Sequence, residues 1–250
     1  MPEDRQIGKI KLIICDNKEE VARVCADIFA KRIRVKPDII LGLATGGTPV
    51  GMYQELIRMH KARGLDFRRV RSFNLDEYLG LAPEHNQSYR YFMNDNLFNH
   101  INIDKSKTQV PDGKAQDVKA GCKKYEDNIK KAGGIDLQLL GIGSNGHIAF
   151  NEPGSLGDSR TRVVDLTERT IKDNSRFFQD ESEIPRQAVT MGIGTILEAK
   201  QVVLLATGSN KADAVAKAVK GQVSPDLPAS FLQNHPDCTF IVDREAVAGL

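Results

Sequence analysis

Short apolar runs rich in β-branched residues alternate along this chain with longer segments whose apolar residues recur at helical spacing. This alternation is typical of stacked βα units around a mostly parallel sheet. The apolar runs predict six strands, at 11–15, 38–44, 70–75, 136–142, 202–206 and 239–242. The helical spacing predicts helices over 18–34, 49–62, 86–98, 114–132 and 211–219, with a short one over 229–233.

No internal repeat, linker or compositional break divides the 250 residues. We therefore expect a single α/β domain over residues 1–250, built on a mostly parallel open sheet flanked by helices in the doubly wound, Rossmann-like manner. In such sheets ligands bind beyond the carboxyl ends of the strands. The strand-to-helix junctions are therefore the places to search for chemistry.

Composition narrows the classes of partner. The chain has 35 Lys and Arg residues against 33 Asp and Glu, with no long basic run, so nucleic acid is not an expected partner. No apolar run approaches the roughly 18 residues that cross a bilayer, and no membrane association is expected. The four cysteines lack the spacing of a metal site or a disulfide framework. These features predict a cytoplasmic protein without a metal site.

The first junction joins the strand predicted at 38–44 to the helix predicted at 49–62 through Thr45, Gly46, Gly47 and Thr48. Glycines let backbone N–H groups converge, and the amino end of the following helix favours an anion. The spacing and the lysine of the nucleotide P-loop are absent. The junction is interpreted either as a cradle for a phosphate or carboxylate, or as a plain tight turn before a capped helix.

The second junction ends in two adjacent carboxylates, Asp76 and Glu77. Only one of them can face a cleft if the alternation of the strand continues. A carboxylate above a hydrophobic floor has a raised pKa and can serve as a general base. The alternative interpretation is a helix cap or a surface pair.

The third junction, 141–146, matches the G-x-G-x-x-G pattern of dinucleotide-binding folds. That pattern requires a long helix that begins at its third glycine. Pro153 would end such a helix after only a few residues. A polar set follows instead, Asn145, His147 and Glu152, which fits a proton-transfer cluster. A purely structural histidine is the alternative interpretation.

Two cations are candidates to neutralise a phosphate bound at the first junction. Arg176 lies in the segment 174–178, and Lys211 follows the strand predicted at 202–206. Each of them, considered singly, is more often a solvated surface charge.

Together the junctions resemble the glucosamine-6-phosphate deaminase family. The resemblance covers nearly the whole chain and rests on 41–49, 73–78, 141–153, 159–162, 174–178 and 191–195, of which the run Gly-His-Ile-Ala-Phe-Asn-Glu-Pro is the most specific. It implies conversion of glucosamine 6-phosphate and water to fructose 6-phosphate and ammonium, in amino-sugar catabolism. It implies no redox or metal cofactor.

The resemblance also implies roles for individual residues. His147 would open the pyranose ring by moving a proton at the ring oxygen, with Glu152 and Asn145 orienting or assisting it. Asp76 would move a proton from C2 to C1 through an enolamine, after which water releases ammonia from the C2 imine. The implied phosphate ligands are Thr45, Gly46, Gly47, Thr48, Arg176 and Lys211.

Two departures from the family pattern change the expectations. Many members carry Asp where this chain has Asn145, so Glu152 is expected to supply the negative charge beside His147, and the pH profile is expected to differ. The hexameric branch is activated by N-acetylglucosamine 6-phosphate through the region equivalent to 155–164 and a longer carboxyl-terminal tail. Val164 stands where that branch has a lysine, and the chain stops at residue 250. We therefore expect no such activation, and a monomer or small homo-oligomer.

Two other functions compete with this interpretation. A 6-phosphogluconolactonase is similar in fold and binds a sugar phosphate, but 76–78 and 147–153 resemble the deaminase versions of its loops. A non-catalytic sugar-phosphate sensor would be expected to carry a DNA-binding segment, and none is visible before the first predicted strand. A sensor would also have no need of both Asp76 and the His147–Glu152 pair.

Overall fold

The computed structural model of the chain describes residues 2–168, 171 and 184–250. Its strands are β1 (Glu3–Ile7), β2 (Ile10–Cys15), β3 (Ile40–Leu43), β4 (Arg71–Asn74), β5 (Asp76–Tyr78), β6 (Thr108–Gln109), β7 (Leu137–Gly141), β8 (Arg162–Asp165), β9 (Gln187–Thr190), β10 (Val202–Ala206) and β11 (Cys238–Asp243). Its helices are α1 (Lys18–Val35), α2 (Val50–Arg63), α3 (Tyr89–Asn96), α4 (Val118–Ala132), α5 (Ile193–Leu197) and α6 (Ala212–Lys220).

The main sheet has eight strands in the order β1-β2-β11-β10-β7-β3-β4-β6. Every neighbouring pair is parallel except β1 with β2. All six predicted strands are present, each with both ends within two residues of the prediction, and the α/β class with a mostly parallel open sheet is confirmed. The strands are nearly continuous apolar runs because helices cover such a sheet on both faces.

The chain changes direction across this sheet between β3 and β7. From β3 it proceeds outward to β4 and β6, then returns to β7 beside β3 and proceeds the other way to β10 and β11. The loops that leave β3 and β7 therefore separate above the sheet and open a crevice between them. Ligands of doubly wound folds bind at this kind of switch point.

Helix boundaries follow local capping chemistry. Asn17 begins α1 by accepting a hydrogen bond from the Glu20 backbone N–H at 2.9 Å. The helix predicted over 86–98 is shorter, since Ser88 caps it at Tyr91 N–H and a separate 3₁₀ turn follows at Phe98–His100. The segment predicted as a short helix at 229–233 is a 3₁₀ turn spanning Pro228–Asn234.

A second, three-stranded antiparallel sheet in the order β5-β9-β8 was not predicted. Its strands have three or four residues each and pair across long stretches of sequence. Such short strands show no readable alternation, so a local pattern cannot find them. The small sheet matters for function because β5 begins at Asp76, directly beyond β4.

The edge strand β1 was also missed. It pairs with β2 through a turn at Gly8, whose φ of 56° lies in the left-handed region. Its first four residues are exposed and polar, which is usual for a strand at a sheet edge and uninformative in a hydrophobic pattern.

Candidate active site

A cleft of about 200 Å³ opens at the switch point, above the carboxyl ends of β3, β4 and β7. It brings together residues from all three sequence junctions. The lining residues are Ala44, Thr45, Gly46, Gly47, Thr48, Pro49, Leu75, Asp76, Tyr89, Gly141, Ile142, Gly143, His147, Ala149 and Phe150.

One side of the cleft is formed by residues 45–48, the loop predicted to bind an anion, which connects β3 to α2. Gly46 has a φ of 98°, a conformation that favours glycine. The helix after the loop has no side-chain cap and no acidic residue in its first turn. Its positive end is therefore directed at the cleft without a local counter-charge, which suits a bound anion.

Asp76 and Glu77 have separate environments because successive residues of a strand point to opposite faces. Asp76 lines the cleft. Glu77 is buried behind it, and its carboxylate accepts hydrogen bonds from the backbone N–H groups of Tyr78, Tyr89 and Arg90 at 2.8 to 3.0 Å. The carboxylate that faces the cleft and the carboxylate that caps a helix are thus two neighbouring residues.

The Asp76 carboxylate is only 6% exposed and has no hydrogen-bond partner within the described residues. Burial, with the charge of Glu77 as a smaller contribution, raises the pKa of Asp76 to about 8. Such a group exchanges a proton near neutral pH, which is what a general base requires.

His147 enters the cleft from the loop after β7. Its Nδ1 lies 3.4 Å from Glu152 Oε1, although the two atoms are not aligned for a hydrogen bond. Asn145 Nδ2 donates to Glu152 Oε2 at 2.7 Å, and Asn145 Oδ1 accepts from the His147 backbone N–H at 3.3 Å. The neutral Asn145 thus orients Glu152, and Glu152 is the carboxylate beside the imidazole.

Glycines of the third junction make room for this loop rather than for a nucleotide. A Cβ on Gly143 would overlap the His147 ring, and one on Gly146 would overlap Leu227. No helix begins at Gly146, and residues 144–155 form turns with one isolated bridge between Ile148 and Asn151. The prediction that no long helix follows the third glycine is confirmed.

The two residues predicted to neutralise a bound phosphate are Lys211 and Arg176, and the structure describes the first of them. Lys211 ends a 3₁₀ turn, Ser209–Lys211, after β10, the strand next to β7. It lies at the correct edge of the sheet but does not line the cleft. Arg176 lies outside the described residues.

Sequence reasoning missed the aromatic wall of the cleft. Tyr89 begins α3 and stacks on Phe150 with ring centroids 6.0 Å apart, and its hydroxyl donates to the Tyr78 hydroxyl at 3.2 Å. The motif that contains Phe150 was noticed, but Tyr89 carries no local signal. Its position depends on Glu77 capping α3.

Neither a metal centre nor a membrane span is found in the part of the chain that the structure describes. No group of three or more His, Cys, Asp or Glu residues there is placed to hold a metal ion. No helix there is long and apolar enough to cross a membrane.

The chain is also similar to known proteins. The family described as glucosamine-6-phosphate isomerases/6-phosphogluconolactonase matches residues 16–241. A glucosamine-6-phosphate deaminase of Thermoanaerobacter pseudethanolicus is 54% identical over 96% of this chain and 94% of its own. One from Clostridium botulinum is 51% identical over 96% of this chain and 99% of its own.

Solved structures agree as well. A monomeric glucosamine-6-phosphate deaminase superposes with a TM-score of 0.93 at 46% identity, covering 96% of this chain and 99% of that one. The 6-phosphogluconolactonase of Trypanosoma cruzi superposes at 0.77 with 24% identity over 98% of both chains, a likeness that shows the fold alone. The chain therefore belongs to the family of glucosamine-6-phosphate isomerases and 6-phosphogluconolactonases.

Proposed function

We propose that the protein converts glucosamine 6-phosphate and water to fructose 6-phosphate and ammonium. One observation carries the proposal: a buried carboxylate, Asp76, and a histidine backed by a carboxylate, His147 with Glu152, share one cleft with an anion loop. An aldose–ketose isomerisation needs a base at C2 and a proton carrier at the ring oxygen. The relatives named glucosamine-6-phosphate deaminase at 51–54% identity support the same reaction.

The phosphate of the substrate is held by the loop 45–48 at the amino end of α2, with Lys211 and Arg176 as its cations. Attraction between the positive helix end and the dianion supports this placement. Binding energy from the phosphate then orients the distant C1 and C2 atoms without taking part in the chemistry.

Ring opening is assigned to His147. The imidazole accepts the proton of the C1 hydroxyl and delivers a proton to the ring oxygen as the bond between C1 and the ring oxygen breaks, which yields the open-chain aldehyde. Glu152, 3.4 Å from Nδ1, stabilises the charged imidazolium, and Asn145 holds the second carboxylate oxygen of Glu152 in place.

Isomerisation and deamination follow at C2. Ionised Asp76 removes the C2 proton while the C1 oxygen takes up a proton from water, giving an enolamine, and Asp76 then returns its proton to C1. The product is an imine at C2, to which water adds before ammonia leaves. The raised pKa of Asp76 matches this role because a base that must also return its proton works best near neutrality.

The substrate is a small sugar phosphate, and neither nucleic acid, a membrane nor a bound cofactor is part of the mechanism. Residues 1–250 act as one catalytic domain, as a monomer or small homo-oligomer, and the structural relative described as monomeric supports that size. A cytoplasmic location fits the four free, buried cysteines, because thiols stay reduced there.

Purified protein given glucosamine 6-phosphate tests the proposal through ammonium and fructose 6-phosphate, measured together, with the Asp76→Asn variant as the matched control. Equal amounts of both products from the wild type, and neither from the variant, are expected. Hydrolysis of 6-phosphogluconolactone without ammonium would replace the proposal by the lactonase. Inactivity in both assays would favour the sensor.

A further inference from the structure

The loop between His147 and Glu152 is tied to the small sheet at several points. The Phe150 backbone N–H donates to Thr190 Oγ1 at 3.1 Å, and Asn151 Nδ2 donates to the Met191 carbonyl oxygen at 2.9 Å. Directly before these two residues, Ala149 has a φ of 52°, the one positive value at a non-glycine residue of the described chain. A loop in that conformation persists only when its surroundings impose it.

Asn151 is the centre of this anchoring. It is fully buried, and its amide group donates to both the Ile148 and Met191 carbonyl oxygens at 2.9 Å. Its Oδ1 accepts from Arg162 Nη1, also at 2.9 Å. Both ends of the amide are therefore engaged, and the side chain has one orientation that satisfies all three bonds.

Arg162 is a half-buried cation with no carboxylate within ion-pair distance in the described ranges. Its second nitrogen, Nη2, donates to Ser155 Oγ at 3.2 Å. Burial lowers the pKa of the guanidinium, which reflects the cost of holding this charge away from water. The guanidinium of Arg162 thus forms a fork across the loop. Its Nη1 contacts Asn151, the residue before Glu152, and its Nη2 contacts Ser155, which follows Glu152.

The same fork connects the loop to the proposed base. Arg162 pairs with Thr190 in the small sheet, and Thr190 pairs with Asp76. One row of this sheet therefore carries the base at one edge, a contact to Phe150 at the centre and the guanidinium at the other edge.

We propose that Arg162 is a positioning residue that holds the His147–Glu152 loop in register with Asp76 through Asn151 and Ser155. The inference rests on the proposed function for its kinetic consequences only. The phosphate loop belongs to a different element, so substrate affinity depends little on this fork.

Arg162→Ala tests the inference, with Arg71→Ala as the matched control. Arg71 is also half-buried and donates to one backbone carbonyl, at Ala132, but it lies in the main sheet, at the amino end of β4 and away from the cleft. We expect Arg162→Ala to lower kcat at least 10-fold with KM changed less than about 2-fold, since small misplacements of reacting groups cost up to about 10²-fold. Millimolar guanidinium should restore part of kcat, and an equal concentration of NaCl should not. Arg71→Ala should retain the wild-type constants.

Hydrogen exchange of the peptides covering 148–155 gives a readout that does not depend on activity. Exchange there should accelerate in Arg162→Ala and remain unchanged in Arg71→Ala. Unchanged exchange, or an unchanged kcat in an active enzyme, would overturn the positioning role. Wild-type protein that releases no ammonium would instead refute the proposed function, and the exchange experiment would still decide the role of Arg162.

Discussion

Replacing Asp76 by asparagine should inactivate the protein and at the same time stabilise it. The side chain is 6% exposed and its pKa is raised to about 8 from the ordinary 3.8. At 1.36 kcal/mol for each pKa unit, this difference corresponds to about 6 kcal/mol of folding free energy lost when the buried group ionises. Asparagine has nearly the same shape and no charge to bury.

The sign follows from proton binding. Between pH values of about 4 and about 8 the folded state keeps the Asp76 proton while the unfolded chain has released it. The contribution of Asp76 to the free energy of unfolding is therefore fully present below about pH 4 and decreases as the pH rises from about 4 to about 8. Above about pH 8 it no longer changes with pH. The advantage of Asp76→Asn should be near zero in acid and about 4 kcal/mol at pH 7.

Thermal denaturation across a pH series measures this advantage. For a chain of this length about 4 kcal/mol corresponds to a Tm increase of roughly 8 °C or more. Ammonium release by the same variant should fall by about 10² to 10⁴, the usual contribution of a general base. A Tm difference that stays constant between pH 5 and pH 8.5 would refute the reasoning about burial.

Asp136→Asn is the matched control because the pKa of Asp136 is shifted in the opposite direction from that of Asp76. Asp136 is also buried, which raises its pKa, but hydrogen bonds from Lys200, Lys36 and the Ile40 N–H together lower that pKa below the ordinary value. This carboxylate contributes stability above its unfolded pKa and loses it as the pH falls. The control variant should therefore be destabilised at pH 7, with a deficit that shrinks in acid.

Three further predictions concern the same cleft. Glu77→Gln should move the acid limb of kcat/KM to lower pH, since the charge of Glu77 contributes to the raised pKa of Asp76; pH–rate profiles check this. Gly143→Ala should lower kcat strongly, because its Cβ would overlap the His147 ring; steady-state kinetics with a melting curve separate this effect from misfolding. Lys211→Ala should raise KM with little change in kcat, as expected for a phosphate anchor remote from C1 and C2; a titration of substrate measures it.

Each of these predictions has an outcome that contradicts it. An acid limb that does not move in Glu77→Gln would mean that the neighbouring charge has no influence on the base. Full activity of Gly143→Ala would show that the imidazole does not need its present position. A lowered kcat with unaltered KM in Lys211→Ala would remove the lysine from the phosphate site.

Much of the main sheet and the places of the three site loops along the chain were predictable from local signals. An apolar run followed by glycines and then by a helical pattern predicts a strand-to-helix junction from local sequence alone, as it does at 39–50. The parallel arrangement then places all such junctions at one edge. The sequence therefore predicts that Thr45, Asp76 and His147 lie near one another, and the three residues line one cleft.

Only the tertiary structure decided the surroundings of each of these residues. The small sheet forms from strands too short to read locally, and its register brings Arg162 and Thr190 into line with Asp76. Only the packed structure shows that Asp76 faces the cleft while Glu77 caps α3. Because Tyr89 begins that helix, the cap also places Tyr89 in the aromatic wall of the cleft. The raised pKa of Asp76 has the same origin, because burial is a property of neighbours distant in sequence and not of the residue itself.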